Sequence, residues 1–257
     1  MTVILLYHDV ASRDAREGTG FGGPLAARYK LAPGDFASHL DAIAATGRIV
    51  ATFDPEASPS PAVTLTFDDG GASALAAASA VEGHGWRAHF FVVTSLIDQP
   101  GFLRSGEIVE LARRGHVIGS HSHTHPTYMA RLSRAELEVE WSTSRGLLEE
   151  LLGAAPSTAS IPGGMISRAV VETAAGAGYR VLMTSEPITT QRRADGLVTV
   201  GRFNIWNTTP ASRAAAYARG AWGARARLWL EWRAKSATKR ISPRIYQQIR
   251  RFRAGTR

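Results

Sequence analysis

The sequence has no cysteine. That absence excludes a disulfide scaffold, a thiolate metal site and a cysteine nucleophile together, while leaving the compartment open. It also has no apolar run near the roughly 18–20 residues that a bilayer-spanning helix needs. Its opening stretch, Met1 to Asp9, carries no basic region, and the apolar run there stops at Leu6. This is not the pattern of a secretory signal. It reads as a buried first strand, and the expectation is a cytoplasmic protein. Acidic residues are scarce at one end. From Gly201 onward there are fourteen basic residues and one acid, Glu231, whereas the first 200 residues carry sixteen basic and twenty-one acidic ones. Two regions of opposite charge imply two tasks. The rest is ordinary globular composition: 257 residues, 44% hydrophobic, 20% charged, 25 glycines. Such a chain buries a sizeable core and is neither wholly disordered nor collagen-like.

Short apolar, β-rich runs recur along the chain: Val3 to Leu6, Ala62 to Phe67, His89 to Val93, Val117 to Ile118, Thr158 to Ile161, Val181 to Met183 and Leu197 to Val200. Helical patterns lie between several of them. Phe36, Leu40 and Ile43 share one helical face, as do Ile108, Val109 and Leu111. The longest pattern, Leu132 to Leu152, sets Leu137, Trp141, Leu147 and Leu148 against Glu136, Glu138, Glu140, Glu149 and Glu150, and Ser133 with Glu136 forms a capping box that opens it. Alternation of strand and helix predicts an α/β protein with a parallel sheet, open or closed into a barrel. Ala11 to Leu31 and Ala57 to Pro61 read as loops. In such folds reactive groups gather beyond the carboxyl ends of the strands.

Two clusters sit at those ends. After Ala62 to Phe67 come Asp68, Asp69, Gly70 and Gly71. Adjacent carboxylates raise each other's pKa, and a cation beside them removes that cost. By itself the segment would read equally well as an Asp-Gly turn with capping carboxylates. After Val117 and Ile118 comes His121-Ser122-His123-Thr124-His125-Pro126, with three histidines in five residues. Two imidazoles and a carboxylate form a facial set for a divalent metal such as zinc, with positions left for water and substrate. A merely polar or pH-sensitive loop is the weaker reading. One carboxylate would bind the metal and the spare one would take a proton from a water that the metal acidifies, which is a hydrolase site.

At these residues the chain resembles the polysaccharide deacetylase family (carbohydrate esterase family four). Thr66-Phe67-Asp68-Asp69-Gly70 looks like the family's first motif and His121 to Pro126 like its second, and the resemblance runs from Val3 to about Asn207. It implies a distorted (β/α) barrel of about seven strands and N-deacetylation of N-acetylated sugars. It also implies Asp69, His121 and His125 as metal ligands, with Zn2+ the expected ion, and Asp68 as the catalytic base; His123 matches no ligand position. The third motif departs from the family. In Ser160-Ile161-Pro162-Gly163-Gly164 the proline and final glycine agree, but Ser160 replaces an arginine. Pro162, Gly164 and Arg202 are the candidate substrate-side residues, and Arg202 could supply the missing charge. No histidine follows His125, so the family's general-acid histidine has no carboxyl-terminal counterpart. Leu5-Leu6-Tyr7-His8-Asp9 resembles that motif moved to the amino terminus, making His8 the second catalytic candidate. Met183 to Pro187 occupies the place of a fourth motif without its usual aspartate and tryptophan.

The remainder, residues 213–257, reads as a separate basic, Trp- and Arg-rich helical tail beside a deacetylase-like domain at 1–212. Trp222, Trp229 and Trp232 can share one face, flanked by arginines; Ile241, Ile245, Ile249 and Phe252 continue the pattern with Lys239, Arg240, Arg250 and Arg251. It suits an interfacial helix on anionic lipid at the inner face of a membrane, or a helix packed on the barrel; nucleic acid lacks any motif. The function expected is metal-dependent removal of N-acetyl groups from a glycan or sugar-lipid precursor. An amidase acting on a non-sugar amide and a non-catalytic carbohydrate-binding relative are the alternatives.

Overall fold

A computed structural model of the chain describes residues 1–56 and 62–241, with side-chain surroundings given as far as Ala234. The Ala57–Pro61 connector and the tail positions Ile245, Ile249, Arg250, Arg251 and Phe252 lie outside the described residues. The strands are β1 (Val3–Tyr7), β2 (Asp9–Val10), β3 (Lys30–Leu31), β4 (Ile49–Val50), β5 (Ala62–Phe67), β6 (His89–Val92), β7 (Val117–Ser120), β8 (Thr158–Ser160), β9 (Val181–Met183), β10 (Arg192–Ala194), β11 (Leu197–Val200) and β12 (Phe203–Asn204). The helices are α1 (Pro33–Ala44), α2 (Ala74–Glu82), α3 (Ser105–Arg113), α4 (Arg134–Leu152), α5 (Arg168–Gly176), α6 (Ala211–Ala218) and α7 (Trp222–Ile241).

The main sheet runs β10-β11-β9-β8-β7-β6-β5-β1-β12, with β4 also on β5, and every pairing is parallel except β10 with β11. Seven strands, β1, β5, β6, β7, β8, β9 and β11, correspond to the seven β-rich runs of the sequence. With helices outside, the sheet curls into a distorted (β/α) barrel. Because both faces are covered, β1, β6 and β11 are buried end to end, as continuous apolar runs in parallel sheets should be. The alternation of side chains sorts them into two layers. Val3, Leu5, Tyr7, Phe67 and Phe90 pack outward into a cluster with Phe36, Leu40 and Ile43 of α1. Ile4, Phe91, Val181, Met183, Val198 and Val200 form a separate interior cluster with Phe53.

The strand order puts β11 near one edge and β12 at the other, yet only Gly201 and Arg202 separate them in sequence. The seam is therefore crossed covalently rather than by a ladder of hydrogen bonds. Gly201 is required there: a β-carbon would fall 2.2 Å from the Glu186 carbonyl oxygen.

Ser133 caps α4 reciprocally with Glu136, as the capping box predicts, and left-handed Gly153 closes the helix. Four details differ from the sequence reading. Val109 and Leu147 are 40% and 39% exposed, so the apolar faces of α3 and α4 are narrower than their composition. Glu140, placed on the polar face, is buried. The Ala11 to Leu31 loop contains two short 3-10 segments and ends in β3. A boundary between 212 and 213 cuts through α6, whose Ala214, Tyr217 and Ala218 belong to the outer core cluster. α6 is part of the barrel body because it seals the layer over β1.

Candidate metal centre

Register places the chemistry. Tyr7 lies opposite Phe67, Val92 opposite Ser120, and Ser160 and Val200 opposite Met183. The residues that follow, His8, Asp68, His121 and Arg202, consequently surround one rim. The two-residue period also aims them inward: Arg202 continues Val198 and Val200, and Asp68 continues Thr64 and Thr66.

The turns that follow are strained. Asp69 has φ 77° and is followed by Gly70 at φ 71°, while Ser122 and His125 have φ 64° and 57°. Non-glycine residues in the left-handed region cost free energy and persist where surrounding contacts over-determine them. Those contacts are present. The Asp68 N–H donates to the Tyr7 carbonyl at 3.1 Å. Ser120 Oγ accepts from the Ser122 N–H at 3.0 Å, and Ser122 Oγ accepts from the His125 N–H at 3.1 Å. Glu140 completes the loop: one carboxylate oxygen accepts the N–H groups of His123 and Thr124 at 2.9 Å each, and the other accepts the Thr124 hydroxyl. The signal that marks Glu140 is its spacing, three residues after Leu137 and one before Trp141 on the buried stripe of α4.

The donor atoms of Asp69, His121 and His125 all lie within 4.8 Å of one another. His121 Nε2 is 3.4 Å and His125 Nε2 3.5 Å from the same oxygen, Asp69 Oδ1. The Ser160 carbonyl holds His121 Nδ1 at 3.0 Å, fixing the ring so that Nε2 faces the cluster. Burial, with His121 beside it, pushes the His125 imidazole down to about 4, so at neutral pH it keeps a lone pair to give. Burial raises the Asp69 carboxyl pKa, but the hydrogen bond from His121 and the surrounding histidines outweigh it and hold the group below the ordinary carboxylate range. One carboxylate oxygen facing two convergent imidazole nitrogens is a donor set that fits a divalent cation.

Asp68 stands beside this trio, its Oδ2 3.7 Å from His121 Nε2. It is gripped from behind. Arg202 donates through Nη1 to Oδ1 and through Nη2 to Oδ2, both at 2.7 Å, and Ser160 Oγ donates to Oδ2 at 3.0 Å. Arg202 also donates to Ser160 Oγ (2.6 Å), Thr66 Oγ1 (3.2 Å) and the Thr184 carbonyl (3.0 Å), with Phe91 5.5 Å beneath its guanidinium. Burial works to raise the Asp68 pKa, and the Arg202 charge and bidentate contact, with His121, bring it below the ordinary value. Arg202 is thus not a substrate-side residue. It is wholly enclosed, and its donors are spent on Asp68 and that carboxylate's surroundings. It supplies the charge missing at Ser160.

His8 acts electrostatically on both Asp68 and Asp69, and its ring lies 4.5 Å from that of Tyr29. His123 turns away to Thr94 Oγ1 at 3.0 Å. Pro162 and Gly164 are buried in the turn after β8, and a β-carbon on Gly164 would strike Ser185 of the loop after β9 at 1.7 Å. They shape the rim rather than present a side chain. The long loop after β2 also reaches the site, where Phe21 lies 4.7 Å from the His125 ring and 5.4 Å from Phe102. It is tied down by two buried groups absent from the sequence reading. Asp9 accepts from Thr19 and Ser73 hydroxyls at 2.7 Å each, and Lys30 Nζ donates to the Arg16 and Thr19 carbonyls.

A family model described as polysaccharide deacetylase matches residues 56–182, a stretch that holds Asp68, Asp69, His121, His125, Pro162 and Gly164. Over that stretch, just under half of the chain, the sequence matches the polysaccharide deacetylase family. Peptidoglycan-N-acetylglucosamine deacetylase PgdA of Listeria monocytogenes is 27% identical over 154 residues, which is 59% of this chain and 32% of that protein. The matched part is therefore about a third of the length of that curated relative. Among solved structures, a polysaccharide deacetylase from Bacillus cereus superposes with a TM-score of 0.72 at 21% identity, covering 84% of this chain and 68% of the other. Streptococcus pyogenes deacetylase PplD gives 0.68 at 20% identity, covering 82% and 94%. These likenesses establish the fold.

Proposed function

We propose that the protein is a metal-dependent hydrolase that removes N-acetyl groups from a carbohydrate. The observation that carries this reading is the pairing of a cluster of three possible ligands, Asp69, His121 and His125, with a further carboxylate, Asp68, whose Oδ2 lies 3.7 Å from His121 Nε2. A divalent cation held there, with Zn2+ the best match to the donor set, would polarise an amide carbonyl and acidify a water molecule. Asp68 would accept the proton that this water gives up. Arg202 and Ser160 aim its carboxylate and keep it ionised, which is the form that accepts. His8 delivers a proton to the departing nitrogen as the C–N bond breaks to acetic acid and an amine, and the proton that Asp68 took from water replenishes His8 and closes the cycle. This makes the general acid an amino-terminal residue, permuted from the family's carboxyl-terminal position.

A sugar is favoured over a simple amide by the aromatic surroundings. Phe21 lies beside His125 and meets Phe102 edge to face, and Tyr29, beside His8, meets Trp206 at 6.4 Å. Ring faces of this kind suit the apolar faces of hexosamines. The relative PgdA is described as acting on peptidoglycan N-acetylglucosamine, which supports an N-acetylhexosamine as the unit recognised. A lipid-linked precursor at the cytoplasmic face of a membrane is the setting favoured by the basic region after α6.

The test is acetate release from N-acetylglucosamine oligomers by metal-replete protein, with simple N-alkyl acetamides in parallel. Release from the oligomers alone supports the reading. Turnover of the acetamides alone replaces it with a general amidase, and binding of oligomers without release by metal-replete protein replaces it with a carbohydrate-binding role.

A further inference from the structure

Helix α7 has two unlike sides. On one, Ala224 and Leu228 pack against the outer core cluster, and Arg225 reaches the Gly220 carbonyl at 3.4 Å and Thr189 Oγ1 at 3.0 Å. On the other, the 3.6-residue period brings Trp222, Ala226, Trp229, Leu230 and Arg233 into one stripe. Trp222 is 81% exposed and Leu230 61%, while the Arg233 guanidinium lies 4.7 Å over the Trp229 ring. These are the two most exposed large apolar side chains among the described residues. No described element covers them.

Charge says what does. The helix carries Arg225, Arg227, Arg233, Lys235, Lys239 and Arg240 against Glu231 alone, and residues 242–257 add five arginines and no acid. Glu231 is itself engaged by Arg227 at 3.2 Å. A partner must therefore be anionic and must also accept an indole and a leucine side chain. A phospholipid headgroup layer does both, since tryptophan partitions to the headgroup boundary and each nearby cation gains from anionic lipid. A nucleic acid would meet the charge but has no place for Leu230, which neither stacks nor hydrogen-bonds.

We infer that α7 docks the protein on an anionic bilayer surface, with Trp222, Trp229 and Leu230 entering the headgroup boundary. This deepens the proposal of a lipid-linked substrate and rests on that reading only for its purpose; the docking itself needs no hydrolysis.

The experiment is sedimentation of the full chain with vesicles of phosphatidylcholine alone and of phosphatidylcholine with phosphatidylglycerol, alongside acetate release from a soluble oligosaccharide. The expected result is binding at least tenfold tighter to the anionic vesicles, weakened by 0.5 M salt, where the Debye length shrinks to about 4 Å. Arg233→Gln should lower it about fivefold, and Trp222→Ala with Leu230→Ser should lower it at least tenfold, with acetate release unchanged by any of the three. Equal binding to both vesicle types, no binding to either, or full binding by the Trp222→Ala/Leu230→Ser variant would overturn the inference. Tighter binding to single-stranded RNA than to anionic vesicles would assign the surface to nucleic acid and overturn it equally. Failure of acetate release with vesicle binding intact would count against the hydrolase alone.

Discussion

Arginine is used in opposite ways at the barrel rim and on α7. Arg202 is fully enclosed, and its guanidinium is spent on Asp68, Ser160, Thr66 and Thr184. Arg233 stands at the surface over a tryptophan ring. Net charge counts the two equally, yet one sets the ionisation of a single carboxylate and the other adds to the field around the surface. Burial decides which: in a low-dielectric surrounding a charge must be matched group by group, whereas in solvent it is screened and acts collectively.

The contrast can be broken at several points. The largest effect belongs to Asp68→Asn, which should lower acetate release on the order of a thousandfold, with metal content by elemental analysis unchanged; turnover near the parent value would remove Asp68 from the chemistry. Arg202→Met should cost roughly 3–5 kcal/mol in denaturant unfolding, because it strands a buried carboxylate. The matching Arg233→Met should stay within about 0.5 kcal/mol, as surface changes do. Comparable losses for the two arginines would erase the distinction. Glu140→Gln keeps the shape of α4 while weakening the acceptor that gathers the histidine loop. Metal affinity measured against a competing chelator should fall roughly 10–100-fold.

Acid offers a subtler probe of the interior. His89 is buried and, with Arg202 adding to the effect of burial, its pKa is pushed down to about 3 from an ordinary 6.5. Between those values the unfolded chain binds a proton that the folded chain refuses. Stability contributed by neutral His89 is therefore complete above pH 6.5 and declines as pH falls toward 3, by at most about 1.4 kcal/mol per pH unit. Unfolding midpoints measured from pH 7 to pH 4 should fall less steeply for His89→Asn than for the parent, and parallel curves would exclude this residue as a source of acid sensitivity.

The strands and the two polar clusters were legible because each is local: a β-rich run, then its charged terminus. Ser160 and Arg202 show where locality ends. The serine is visible as a departure from the family pattern, but its remedy lies 42 residues on, and only the strand order brings the two together. Glu140 was misassigned because a glutamate among glutamates looks solvated, although its spacing from Leu137 matched the buried face. The backbone strain at Asp69, Ser122 and His125 had no sequence signal, since none is glycine and the hydrogen bonds that hold them come from other segments. Asp9 and Lys30 went unseen for a similar reason: each is satisfied by partners from a loop with no period of its own.

The seam at Gly201–Arg202 bears on how the protein is made. Domains emerging from a ribosome assemble from the amino-terminal side, and Asp68 leaves 134 residues ahead of the guanidinium that grips it. The same two-residue crossing that unites the sheet's outer edges delivers that guanidinium. During synthesis Asp68 has no guanidinium to grip it until the barrel is closed, so a half-finished chain would carry Asp69, His121 and His125 without the contact that fixes Asp68.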